Sequence, residues 1–201
     1  MMPTPPPVQM AFRAHNGISK SLLDNLLKKG SQYGLEDIRP FPISQIVIAN
    51  WVCLKCRYGC AKFNSNWSCP PATPDISQVR DLLKEYTTAL LLVGKRTCNE
   101  FYRETNKKRT GQVRFWKGAV GIERYLFLEG YDKAFALVSG ACALCKTCIY
   151  PENCRFPMEK RPTVESFSID LVGTLKHIGI DTRVAQDITQ PFKSYSIILL
   201  D

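Results

Sequence analysis

The chain has 201 residues, 45% hydrophobic and 22% charged, and its 27 Lys and Arg against 18 Asp and Glu give a formal charge of +9. That length supports one domain with a sizeable core and would leave two cramped, and the composition excludes wholesale disorder, a fibre or a repeat array. Its longest apolar runs, TALLLVG and YSIILLD, fall far short of the roughly 20 residues a membrane helix needs, and MMPTPPPVQMAF at the N-terminus lacks the pattern of a secretory signal, so a cytoplasmic protein is expected.

In chain order, residues 1–12 are proline-rich and expected to be flexible, with a single domain over 13–201. SKSLLDNLLKKG reads as a short amphipathic helix with Ser19 or Ser21 as its cap, lysines in its last turn and Gly30 as its stop. ISQIVIA has strand character and runs into NWVCLKCRYGC, which would place the first cysteines just beyond a strand end. ISQVRDLLKEYTT is helical from a cap at Asp75, and ALLLVGK follows as a buried strand. CNEFYRETNKKRTGQVRFWKGAVGIERYLFLEG is mostly helical, although Gly111 and Gly118 argue against one unbroken rod. KAFALVSG is the next strand, TVESFSIDLVGTLKHIGI has helical spacing, and KSYSIILLD is a closing strand. The alternation predicts an α/β fold with a mixed or parallel sheet, flanking helices and two cysteine-rich cluster-binding loops.

Nine cysteines are present, an odd number that argues against a disulfide framework, and a reducing compartment makes clustered cysteines metal ligands. Eight form two quartets. Cys53, Cys56, Cys60 and Cys69 follow C-x2-C-x3-C-x8-C and precede Pro70 and Pro71; Cys142, Cys145, Cys148 and Cys154 follow C-x2-C-x2-C-x5-C, with Pro157 shortly after. A zinc ribbon uses two separated pairs, whereas a cubane cluster takes three ligands from one tight segment and a fourth from beyond it. The three-plus-one grouping therefore favours two [4Fe–4S] clusters, with two Zn2+ ions as the alternative. Cys69 and Cys154 serve either their own cluster or, as in two-cluster ferredoxins, the other one. Eight thiolates around two cubane cores of roughly +2 each would lower the charge by about four units, which removes most of the compositional case for nucleic acid. Cys98 stands apart and reads as a small buried residue, with a redox or ligand-exchange role as its alternative.

CLKCRYGCAKFNSNWSCPP and GACALCKTCIYPENCRFPMEKRPTVESFSIDL resemble an uncharacterised family of predicted metal-binding, cysteine-rich proteins common in anaerobic archaea and bacteria. The resemblance covers roughly residues 43–180 and rests on an aromatic-rich first quartet ending in WSCPP, a glycine before the second, and CRFPMEKRP leading into an expected helix with Glu165 and Asp170. It implies that the eight quartet cysteines are metal ligands, and it names no reaction.

Cubanes with four protein sulfurs have no open iron, so their ordinary use is one-electron transfer at low potential. Radical-SAM spacing, G-x-G-x-x-G and G-x4-G-K-[ST] are all absent. His15 lies in the N-terminal segment and His177 near a helix end, where it reads as a surface or capping residue. In NKKRTGQVRFWKG, Lys107, Lys108, Arg109, Arg114 and Lys117 surround Phe115 and Trp116; this reads first as a solvated helix face with inward aromatics, then as a dock for an acidic partner, and last as a nucleic-acid grip. Glu165 and Asp170 are five apart, which puts them off each other's helical face, and Glu165 reads as a complement to a helix start. The expected function is electron transfer to or from an acidic redox partner in an anaerobic cytoplasm. The alternatives are a cluster-dependent enzyme of sulfur transfer or reductive activation with a labile iron, and a zinc-stabilised nucleic-acid-binding module.

Overall fold

A computed structural model describes residues 18–97, 106–182 and 190–201. The expectations for residues 1–12, His15 and Cys98 fall outside that range.

Helix α1, Lys20–Ser31, is capped by Ser19, whose hydroxyl accepts from Leu22 N at 3.1 Å, and Lys28 and Lys29 lie in its last turn where they complement the dipole. β1, Leu35–Pro42, has no counterpart among the expected elements. It is an edge strand paired only with β2, Thr88–Thr97, which is where proline is tolerated. ISQIVIA is a 3-10 turn over Ile43–Gln45 followed by a single bridge at Ile48, and α2 spans Asn50–Gly59. The first cysteines therefore begin on a helix and do not follow a strand. α3, Ile76–Leu83, starts at Asp75 with a complete capping box: Gln78 N donates to Asp75 Oδ1 at 2.9 Å, and Asp75 N donates to Gln78 Oε1 at 2.9 Å.

α4, Asn106–Leu128, runs unbroken through Gly111 and Gly118. Gly118 is a close-approach position, since a Cβ there would lie 2.6 Å from Tyr33 Cβ. β3, Phe135–Leu137, α5, Leu171–His177, and β4, Pro191–Leu200, complete the fold.

The expected α/β architecture with flanking helices is present, but the sheet is antiparallel at every pairing, in the order β1-β2-β4-β3. β2, α4 and β3 do form a crossover between strands of like direction. β4 enters between them, with Thr88 opposite Leu200 and Phe135 opposite Leu199, and turns both contacts antiparallel. This split explains why a strand–helix alternation points to a mixed or parallel sheet.

Period-two alternation in β2 divides the core. Leu90 and Leu92, with Ile198 and Leu200, face α1 and α4 through Leu26, Trp116, Val120 and Leu126. Ala89, Leu91 and Val93, with Ile197 and Leu199, face α3 and α5 through Val79, Leu83 and Leu175. Helices thus cover both faces, and residues 89–93 of β2 and 197–200 of β4 are apolar throughout for that reason. Among the described residues no helix is long and apolar enough to cross a membrane.

Candidate metal centre

Both quartets hang from one junction beside the sheet. After β3 the chain leaves on an excursion over residues 139–161 and returns where Thr163 bridges Val138, with Val138 N donating to Pro162 O at 2.9 Å and Val164 N to Val138 O at 3.2 Å. The segment after α2 meets the same point, because Thr163 N donates to Ser68 O at 3.2 Å. Trp67 Nε1 donates to Glu152 O at 2.9 Å, its ring meets Tyr150 edge-on at 5.0 Å, and Lys160 Nζ sits 4.6 Å above it. The residues just before Cys69 are therefore attached to the segment that carries the second quartet.

Cys53 and Cys56 lie one turn apart on α2 and Cys60 is its C-cap, so these three share a helical side; Cys69 follows in the next loop and is buried. The start of α2 is pinned by Ala49 N to Ser168 O at 2.9 Å, and Asp170 N to Val47 O at 2.8 Å holds the adjoining strand-like segment. Cys53 Sγ is 3.0 Å from Ser168 Oγ, whose residue is in the left-handed region at φ 57°. Cys142, Cys145, Cys148 and Cys154 all lie in the irregular excursion.

α4 clasps that excursion from its open side. Arg109 Nη2 donates to Leu144 O at 2.8 Å, Gln112 Nε2 donates to Ala141 O, and Trp116 Nε1 donates to Glu159 O at 2.7 Å. Arg124 Nη2 donates to Met158 O at 2.8 Å, and Glu123 pairs with Arg161. Arg109 and the buried Trp116 of the basic stretch are thus turned to structural use, in keeping with inward aromatics and at odds with a wholly solvated basic face.

The thiols act on one another across the junction. Burial first, and then the thiols of Cys60, Cys56 and Cys142, push Cys69 up to about 11 despite a hydrogen bond from Asn66. Burial also raises Cys142, with Cys145 and Cys154 adding to the effect and the Leu144 N–H and the nearby Ser68 hydroxyl opposing it. Cys56 is raised by burial and then by Cys60, Glu165 and Cys53. Crowded, desolvated thiols resist becoming anions, and a bound cation reverses that balance.

Among the described residues no three His, Cys, Asp or Glu side chains already form a closed ligand set. The donor chemistry nevertheless fits a thiophilic metal group, since the eight free cysteines among the described residues are those of the two sequence quartets. Ser68 Oγ, buried to 1% exposure, has no hydrogen-bond partner at bonding distance and lies on the Cys142 side of the junction, where a metal-bound thiolate would accept from it. Ser68 and Ser168 carry no signal in the sequence, because their place beside sulfur depends on contacts between distant segments. Glu165 is not at a helix start: it opens a 3-10 turn over Glu165–Phe167 beside Cys56, burial raises its carboxyl, and Asp170 caps α5 instead by accepting from Gly173 N at 2.9 Å.

Two cavities, of about 430 and 330 Å3, are lined by no cysteine. The smaller one is apolar and lies beside Trp67, Pro74, Phe135 and Phe167.

Residues 39–200 match a family described as predicted metal-binding protein (DUF2284), and the chain belongs to that family. No curated protein and no solved structure matches it.

Proposed function

We propose, from membership of a metal-binding family as the premise, that this protein holds two [4Fe–4S] clusters and passes single electrons to or from a redox partner. Cys53, Cys56, Cys60 and Cys69 would hold one cluster, and Cys142, Cys145, Cys148 and Cys154 the other. The observation that carries the reading is the junction itself, where the hydrogen bonds from Thr163 N to Ser68 O and from Trp67 Nε1 to Glu152 O tie the segment bearing Cys69 to the one bearing the second quartet.

Bound clusters would supply reversible one-electron chemistry at low potential. The chain's own residues hold thiolate charge and limit water. Lys62 N donates to Cys60 Sγ at 3.4 Å, Phe156 N donates to Cys154 Sγ at 3.4 Å, and Ser168 Oγ stands against Cys53 Sγ. Hydrogen bonds to cluster sulfurs favour the more negative, reduced state. The Trp67–Tyr150 pair and Lys160 pack over the segment between the quartets and lower its access to water.

Anaerobic purification with iron and acid-labile sulfide quantitation tests the proposal. The expected result is about eight iron and eight sulfide per chain, a broad absorption near roughly 400 nm, and a paramagnetic signal on reduction. Stoichiometric zinc without sulfide overturns it in favour of a zinc module.

A further inference from the structure

This inference rests on the electron-carrier reading and names the surface through which the exchange runs. α2 carries two rows with the same i, i+3, i+7 recurrence on roughly opposite sides of the helix: Cys53, Cys56 and its C-cap Cys60, and Trp51, Leu54 and Tyr58. The second row is uncovered, with exposures of 44%, 58% and 80%. Single exposed apolar residues are ordinary, but three along one helix form a patch that marks contact with another molecule.

The charge carried by this stretch of chain has one sign. Residues 50–65 contain exposed Lys55, Arg57 and Lys62 and no Asp or Glu. Lys55 Nζ lies 4.9 Å over the Trp51 ring, which places a positive group on the apolar row itself. On α4, by contrast, Arg109 and Trp116 turn inward to carbonyls of the second-quartet excursion. A second copy would bring the same positive row on a chain of +9, so self-association opposes its own charge.

We propose that the exposed side of α2, with Trp51, Leu54 and Tyr58 among Lys55, Arg57 and Lys62, docks an acidic redox protein that exchanges electrons with the centre held by the first quartet. A helix with its side chains is about 10–12 Å across, so a partner on the apolar row stands one helix width from the sulfur row. The positive residues steer the encounter, and the apolar row holds the complex once formed.

The test uses the full chain, purified anaerobically with iron counted in every preparation, and chemically reduced flavodoxin as an acidic one-electron probe. Flavodoxin oxidation is followed by stopped flow over a range of salt, with dithionite as a small reductant that needs no docking. Lys55→Glu/Arg57→Glu is expected to slow oxidation about tenfold or more at low salt and to flatten its salt dependence. Leu54→Ser/Tyr58→Ser is expected to slow it while keeping that dependence. Lys20→Glu/Lys28→Glu, an equal charge change on α1, is expected to stay within about twofold, since steering falls off with distance and screening, and dithionite rates are expected to stay unchanged throughout. Iron-replete Lys55→Glu/Arg57→Glu protein with wild-type flavodoxin rates, or equal slowing by the α1 control, overturns the surface alone. A wild-type dimer lost in Leu54→Ser/Tyr58→Ser overturns it in favour of a second copy. Wild-type protein without iron overturns the carrier reading, and the surface falls with it.

Discussion

Replacing Glu123 by alanine tests how the second-quartet excursion is held to the fold. Glu123 Oε2 accepts from Arg161 Nε at 2.7 Å and from Ala136 N at 2.7 Å, and Arg161 Nη2 also donates to Oε1. The two side chains are only 9% and 15% exposed. One carboxylate therefore neutralises a guanidinium at the return end of the excursion and satisfies the outward N–H of the edge strand β3. Alanine carries no helix-propensity penalty in α4, so the loss comes from the contacts. Removing one partner of a buried pair costs about 3–5 kcal/mol, because the other charge is left desolvated. For a domain of this size that is about 6–20 °C in Tm and a large part of a total stability of roughly 5–15 kcal/mol. Urea melts of Glu123→Ala, Arg161→Met and Glu123→Ala/Arg161→Met close a double-mutant cycle, and the double variant should lose less than the two singles together by about 1–3 kcal/mol. A loss below about 1 kcal/mol for Glu123→Ala, the range of exposed pairs, or additive losses around the cycle, would refute the reasoning.

Cys69→Ser should lower bound iron from about eight to about four per chain, whereas Cys98→Ser should leave it at about eight; iron and sulfide assays on both variants decide whether the quartets act as separate sets. Gly118→Ala should destabilise by about 1–3 kcal/mol, since the new Cβ meets Tyr33 on a helix that cannot move without disturbing the core, and a melt no lower than wild type would exclude that close approach. The Asp75 carboxyl is held below its ordinary value by hydrogen bonds from Gln78 and then Ser77. A lowered folded-state value means that its stabilisation is present above the unfolded value of 3.8 and is lost as pH falls through the folded one. Stability of the wild type should thus decline below that point more steeply than in Asp75→Asn, which keeps an uncharged cap; parallel acid melts would contradict this origin of the shift.

Features set by near neighbours along the chain are legible in the amino-acid sequence. Ser19 and Asp75 announce helix starts because their side chains reach N–H groups two or three residues on. The 3+1 grouping of sulfurs in each quartet is likewise a property of spacing. The segment before α2 reads as a strand because Ile43, Ile46 and Ile48 are apolar and β-branched, yet they pack against the core from a 3-10 turn and one bridge. β1 is hidden because its prolines are unfavourable in strands generally and harmless at an edge.

Sequence by itself determined the apolar runs that become the central strands, the helix caps, and two sets of four thiols, all through interactions that span only a few residues. Tertiary structure decided that β4 enters between β2 and β3, that Ser68 meets Thr163, and that α4 clasps the second excursion. Those choices depend on which distant surfaces bury one another best. Local spacing carries no record of that competition, and it is the competition that brings the segments bearing the two thiol quartets to one junction.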